Sequence, residues 1–107
     1  MTVVIDTIVI MQRFTLDAYV IETLMADLVL HDRQPSAFLV YLRLLYAAAG
    51  RKAAVSASLQ DIAAGTGLSK SAVQAALRTL IRRRLVRSTR ASHTAVPQYN
   101  VLRPWRR

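Results

Sequence analysis

The sequence contains no cysteine and only three glycines in 107 residues. Without cysteine the chain has no disulfide, no thiolate metal ligand and no thiol nucleophile, so packing alone must stabilise the fold. The short length allows one compact core and leaves no room for a separate ligand-sensing domain. We therefore expect one domain with elaborations, and the lack of cysteine agrees with a cytoplasmic location.

Acidic residues are scarce in the second half of the chain. Residues 1–50 carry three arginines and five acidic residues, a net charge of −2, whereas residues 51–107 carry twelve lysines or arginines and only Asp61. The net charge of +11 in this half attracts polyanions and costs self-repulsion in the folded state. We therefore expect an anionic partner for residues 51–107.

Long uninterrupted hydrophobic runs are also missing. Residues 1–11 are apolar but contain Asp6, lack a basic leader region and are too short to span a bilayer, and residues 37–49 contain Arg43. The sequence thus predicts a cytoplasmic protein that does not contact a membrane.

The groups that an enzyme needs are absent as well. The basic half has one acidic residue, no glycine-rich phosphate loop and no spacing typical of metal ligands. His31 and His93 are single histidines without partners for a catalytic or metal site. We therefore predict no enzymatic activity, no metal and no cofactor.

The first third of the chain predicts an arm followed by a helix. Residues 3–11 are rich in β-branched side chains and indicate a strand or extended arm. Three alternatives stay open: the rest of the fold covers this arm, the arm pairs with the same segment of a second chain, or the protein truly starts at Met11. From Thr15, a predicted N-cap, apolar residues at helical spacing indicate a helix to about His31 with an acidic outer face. Its apolar positions are Leu16, Val20, Ile21, Leu24 and Leu28.

A second helix is predicted to begin at Pro35 and to end at Gly50, because proline suits a first helical turn and glycine a helix end. Residues 54–57 then indicate a short strand. The expected core stripe of this helix is Phe38, Leu39, Leu42, Leu45 and Tyr46.

Residues 59–80 have the pattern of two helices joined by a tight turn. Ser58 is placed to cap a short helix to about Ala64, and Gly65 and Gly67 supply the turn, with Gly67 in the left-handed conformation. Ser69 is the predicted cap of the second helix. The residues expected to face the core are Leu59, Ile62, Ala63, Val73, Ala76, Leu77 and Leu80.

The region after this helix predicts a β-hairpin. Residues 85–88 and 96–102 indicate two short strands around a loop that contains Arg90 and His93. Pro97 is acceptable near the start of an edge strand. The predicted fold class is mainly α with a small β-hairpin wing: a winged helix-turn-helix with an N-terminal arm and an extra helix.

Residues 35–102 resemble the winged helix-turn-helix domains of MarR-type and GntR-type transcriptional regulators. The stretch from Phe14 through the hairpin is also similar to the N-terminal domains of phage replisome organisers and primosomal initiators. The resemblance implies that a helix from Ser69 to about Arg83 lies in the DNA major groove, with the hairpin on the adjacent minor groove or the backbone. It is carried by Leu59, Ile62, Ala63, Thr66, Gly67, Leu68, Ser69, Val73, Ala76, Leu77, Leu80, Arg84, Leu85 and Val86.

The predicted DNA contacts fall into two groups. Gln74 and Arg78 can make bidentate hydrogen bonds to adenine and guanine edges, although an ordinary solvated helix face would look the same. The Arg82–Arg84 run also suits the C-terminal dipole of the helix. The remaining candidates, expected on phosphates or in the wing, are Ser58, Ser69, Lys70, Ser71, Arg82, Arg83, Arg87, Arg90 and His93.

These features favour a sequence-specific regulator that binds double-stranded DNA as a homodimer, because paired half-sites multiply specificity. Residues 1–33 are interpreted as the dimerisation element and residues 34–107 as the DNA-binding domain. The alternatives are a phage-like or plasmid-like replication initiator domain and a winged-helix module that binds proteins.

Overall fold

The structure is a computed structural model that describes residues 2–5, 8–11, 13–49 and 54–106. The predicted helix end at Gly50 therefore lies outside the described residues. Four helices and five strands are present in these ranges, in the chain order β1, β2, α1, α2, β3, α3, α4, β4, β5. Their bounds are Thr2–Ile5 (β1), Ile8–Met11 (β2), residues 18–31 (α1), Pro35–Ala48 (α2), Val55–Ser56 (β3), Leu59–Thr66 (α3), Lys70–Arg82 (α4), Val86–Thr89 (β4) and Gln98–Val101 (β5).

The extended N-terminal segment is a hairpin. Strands β1 and β2 pair antiparallel, with Thr2 opposite Met11 and Ile5 opposite Ile8. The segment therefore pairs with itself, an arrangement that the residue pattern did not predict, since a run of β-branched residues indicates strands but not their partners.

Helix α1 begins at residue 18, so the N-cap predicted at Thr15 is wrong. Two stretches, Val20–Leu24 and Asp27–His31, are wound as π-helix, and the Asp32 N–H donates to the Asp27 carbonyl at 2.9 Å. The wider turn changes which side chains share a face. The result is a buried row of Val20, Leu24 and Leu28, while Ile21 is 49% and Leu30 76% exposed.

Helix α2 is the centre of the core and packs against α1, α3, α4 and β5. Because neighbours surround it, its buried side is wider than the predicted stripe and is rotated with respect to it. Leu39 and Tyr46, both expected in the core, are 45% and 37% exposed. The buried residues of α2 are Ala37, Phe38, Val40, Tyr41, Leu44 and Leu45.

The second sheet has the order β3-β5-β4, with both pairs antiparallel. Pro97 immediately precedes β5, so it stands before the central strand rather than near an edge strand as predicted. A proline is tolerated there because it lies outside the ladder, and its carbonyl accepts a hydrogen bond from the Ala57 N–H at 3.2 Å. Four helices and this small sheet confirm the predicted winged helix-turn-helix.

The end of the described chain is fastened to the start of α1. The Asp17 carboxylate accepts hydrogen bonds from the Trp105 indole at 2.7 Å and from two nitrogens of Arg106 at 2.7 and 2.6 Å. These donors hold the pKa of Asp17 at about 2. Trp105 also stacks on Tyr19 with ring centroids 4.8 Å apart, so it packs the tail onto the fold. Among the described residues, no helix is both long and apolar enough to cross a membrane.

Candidate nucleic-acid interface

Helix α3 begins with a reciprocal cap. The Ser58 hydroxyl accepts a hydrogen bond from the Asp61 N–H at 3.1 Å, and the Asp61 carboxylate accepts one from the Ser58 N–H at 3.0 Å. These bonds stabilise the carboxylate and lower the pKa of Asp61. The one acidic residue of the basic half is therefore engaged at the start of α3.

The turn between α3 and α4 depends on a single glycine. Gly67 has φ = +78°, and its N–H donates to the Ala63 carbonyl at 2.9 Å, which ends α3. Gly65, predicted as a second turn residue, lies within α3. A side chain at Gly65 would meet the Arg43 guanidinium, which crosses the helix there and lies 5.4 Å from the centre of the Tyr46 ring.

Helix α4 has one buried apolar side and one exposed polar side. Ser69 caps it as predicted, with its hydroxyl accepting a hydrogen bond from the Ala72 N–H at 3.1 Å. The four predicted core residues are buried, together with Thr79. The candidates Ser71, Gln74, Arg78 and Arg82 recur at steps of three and four, which places them on one exposed face. Lys70, beside Ser71, is exposed as well.

The hairpin of β4 and β5 carries the wing candidates. Arg87, Arg90 and His93 are all exposed. The Arg90 guanidinium donates to the His93 carbonyl at 3.3 Å, which ties the base of the loop together. The hairpin therefore adds cationic side chains beside α4.

Arg83 points away from this surface. Its guanidinium lies 3.5 Å from the Asp27 carboxylate and 3.6 Å from that of Asp32, so it connects the end of α4 to α1. Ser58 is likewise half-buried in its cap. Arg83 and Ser58 are thus partly buried against internal partners, whereas the other candidates are exposed.

The charges of the described residues are distributed unevenly. Asp17, Asp27 and Asp32 face Arg106 and Arg83, and Asp61 caps α3. In the part of the chain that the structure describes, no acidic side chain forms an ion pair with the cations of α4's exposed face or of the hairpin. That surface is therefore positively charged without internal compensation.

The backbone conformation of one residue in this region was not predicted from the sequence. Arg84, next to the end of α4, has φ = +58°, a conformation that side chains other than glycine adopt rarely. The run of three arginines marked the helix end, but nothing in the pattern indicated a left-handed backbone at its third member.

Residues 42–90 match the family model of the IclR helix-turn-helix domain. The matched range begins in α2, contains α3 and α4, and ends after β4. No curated protein and no solved structure matches the chain. The match supports a helix-turn-helix DNA-binding domain and does not single out the MarR or GntR type. Residues 42–90 thus form a helix-turn-helix DNA-binding domain, similar to that of the IclR family.

Proposed function

We propose that the protein is a regulator of transcription that binds double-stranded DNA sequence-specifically, as a binding protein rather than an enzyme. Helix α4 enters the major groove, and the β4–β5 hairpin reaches the adjacent minor groove or the backbone. The observation that carries this proposal is the exposed face of α4, which is polar, basic and uncompensated by acidic side chains among the described residues. The proposed location of this protein is the cytoplasm, where it binds DNA.

The proposed base readers are Gln74 and Arg78, which lie one helical turn apart on the exposed face. Their side chains suit bidentate contacts to adenine and guanine, and each good contact contributes about 1–3 kcal/mol of discrimination. Ser69, Lys70 and Ser71 lie at the N-terminus of α4, where backbone N–H groups favour a phosphate. Their role is to fix the position of the helix on the duplex.

The backbone contacts are assigned to Arg82 and to the hairpin residues Arg87, Arg90 and His93. Ser58, at the N-terminus of α3, is kept as a proposed phosphate contact. Arg83 is left out of the set because its ion pairs with α1 already account for its position. About six phosphate contacts give a log–log salt dependence of roughly −5.

We further propose that residues 1–33 form a dimerisation element and residues 34–107 the DNA-binding domain. Support comes from α1, whose outer surface exposes Ile21, Val29 and Leu30. Its inner surface belongs to the same core as α2 and α4. Light scattering is expected to show a dimer with wild-type protein and a monomer after Leu30→Glu. A concentration-independent wild-type monomer, with and without DNA, contradicts the homodimer.

The function is tested by fluorescence anisotropy with random-sequence duplex DNA at two salt concentrations. Arg78→Ala and Arg90→Ala are expected to weaken binding severalfold, whereas Arg13→Ala, an equal loss of charge at an exposed residue before α1, leaves affinity nearly unchanged. Selection of fragments from a random DNA pool then reports sequence preference and half-site spacing. If the wild-type protein binds no duplex even at low salt, a winged-helix module that binds proteins replaces this proposal.

A further inference from the structure

Arg84 occupies the position at which helices usually place a glycine. Its N–H donates to the Ile81 carbonyl at 3.0 Å, and the Leu85 N–H donates to the Leu80 carbonyl at 2.9 Å. These two bonds form a Schellman motif, in which the residue after the C-cap is left-handed and the next residue is apolar. Leu85 and Leu80 are both buried, and apolar residues at these two positions often accompany the motif. Helix α4 therefore ends in a geometry that favours glycine.

Any side chain at this position makes the backbone conformation less favourable than glycine would. A left-handed conformation is unfavourable for any residue with a Cβ, and glycine would adopt it freely. Within the described residues the exposed Arg84 side chain forms no ion pair that would offset this cost. Residues held in such conformations cluster at functional sites, where the surrounding structure keeps them in place.

The surroundings of Arg84 indicate the chemistry of that function. Arg84 lines a groove of about 500 Å³ between the end of α4 and strand β4. Arg87 and Ser88 lie on the β4 side of the groove, and Ile81 and Leu102 add apolar surface. Two guanidinium groups and a hydroxyl beside apolar surface complement a phosphodiester with its adjoining sugar.

We propose that this groove binds the DNA phosphodiester strand that separates the major groove occupied by α4 from the minor groove reached by the hairpin. The strand must pass between helix and hairpin in that arrangement, and the groove lies between α4 and β4. Arg84 and Ser88 thereby join Arg87 as phosphate-binding residues. This inference rests on the proposed DNA binding and adds an anchoring site that is independent of the base readers.

The test compares Arg84→Gly with Arg84→Lys in the full chain. Arg84→Gly is expected to raise the melting temperature by roughly 2–6 °C because it relieves the left-handed strain. The same variant is expected to bind duplex DNA roughly eightfold more weakly at 0.1 M salt, with the log–log salt slope reduced by about 0.9. Arg84→Lys, which keeps the charge, retains most of the affinity and the wild-type slope.

A more stable protein with weaker, less salt-dependent binding supports the site, because a purely structural role would lower stability and binding together. If Arg84→Gly binds like wild type while Arg78→Ala binds weakly, the groove is not a phosphate site and the proposed function stands. A lower melting temperature of Arg84→Gly together with weaker binding also overturns the site. If the wild-type protein binds no duplex, both proposals fail.

Discussion

Of the two glycines near the α3–α4 turn, only Gly67 should be costly to replace by alanine. Gly67 has φ = +78°, and no atom lies within 4 Å of the place that a Cβ would occupy, so alanine there meets strain from the backbone alone. The left-handed conformation costs about 1–2 kcal/mol, of which about 0.4–1 kcal/mol is recovered because alanine restricts the unfolded chain. Gly67→Ala should therefore destabilise the protein by about 1 kcal/mol.

Gly65 lies in a helix, where alanine is favoured over glycine by about 0.5–1 kcal/mol. The new Cβ would lie 2.5 Å from the Arg43 Nε, but this atom belongs to the far end of a flexible side chain that can move aside. Displacing Arg43 from the Tyr46 ring costs about 0.5 kcal/mol. Gly65→Ala should therefore be neutral or slightly stabilising.

Thermal melting by circular dichroism measures this difference. For a domain of this size 1 kcal/mol corresponds to roughly 4–8 °C, so Gly67→Ala should melt at least about 4 °C below Gly65→Ala. Equal melting temperatures, or the reverse order, would refute the assignment of the turn to Gly67 alone.

Three further predictions concern the tail, the core and the α1–α4 contact. Because Arg106 and Trp105 depress the pKa of Asp17 from 3.8 to about 2, its contribution to stability is complete above about pH 4 and is lost as pH falls towards 2; the melting difference between wild type and Asp17→Asn should shrink across that range. Tyr41→Phe should cost about 1–2 kcal/mol in urea unfolding, because the buried Tyr41 hydroxyl donates to the Leu102 carbonyl at 2.7 Å, and no change in midpoint would contradict this contact. Arg83→Ala should lower stability by up to about 1 kcal/mol and leave DNA affinity nearly unchanged; a loss of affinity without a loss of stability would show that Arg83 contacts DNA instead.

The helix-turn-helix could be predicted from the sequence because its signals are local. Ser58 and Ser69 cap helices through hydrogen bonds to residues three positions away, and Gly67 meets a backbone requirement of its own turn. The spacing of Val73 and Leu80 fixes which side of α4 is buried. Local interactions of this kind appear directly in the order of residues.

Features that depend on distant partners could not be predicted. The engagement of Arg83 depends on two carboxylates far earlier in the chain, and only the tertiary contact reveals it. The exposure of Leu39 follows from how neighbouring elements surround α2, and the π-winding of α1 gives no pattern in the sequence that distinguishes it from an α-helix. For the same reason the sequence pattern indicated the charge of the interface better than the role of each arginine.

An NMR titration of isotopically labelled protein with duplex DNA at low salt locates the DNA-binding surface most directly. The largest changes in amide chemical shift should fall on the exposed side of α4, around Gln74 and Arg78, and on the hairpin loop around Arg90. Changes concentrated on α1, or no changes at all, would contradict the claim that the uncompensated cations of α4 and the hairpin form the DNA-binding surface.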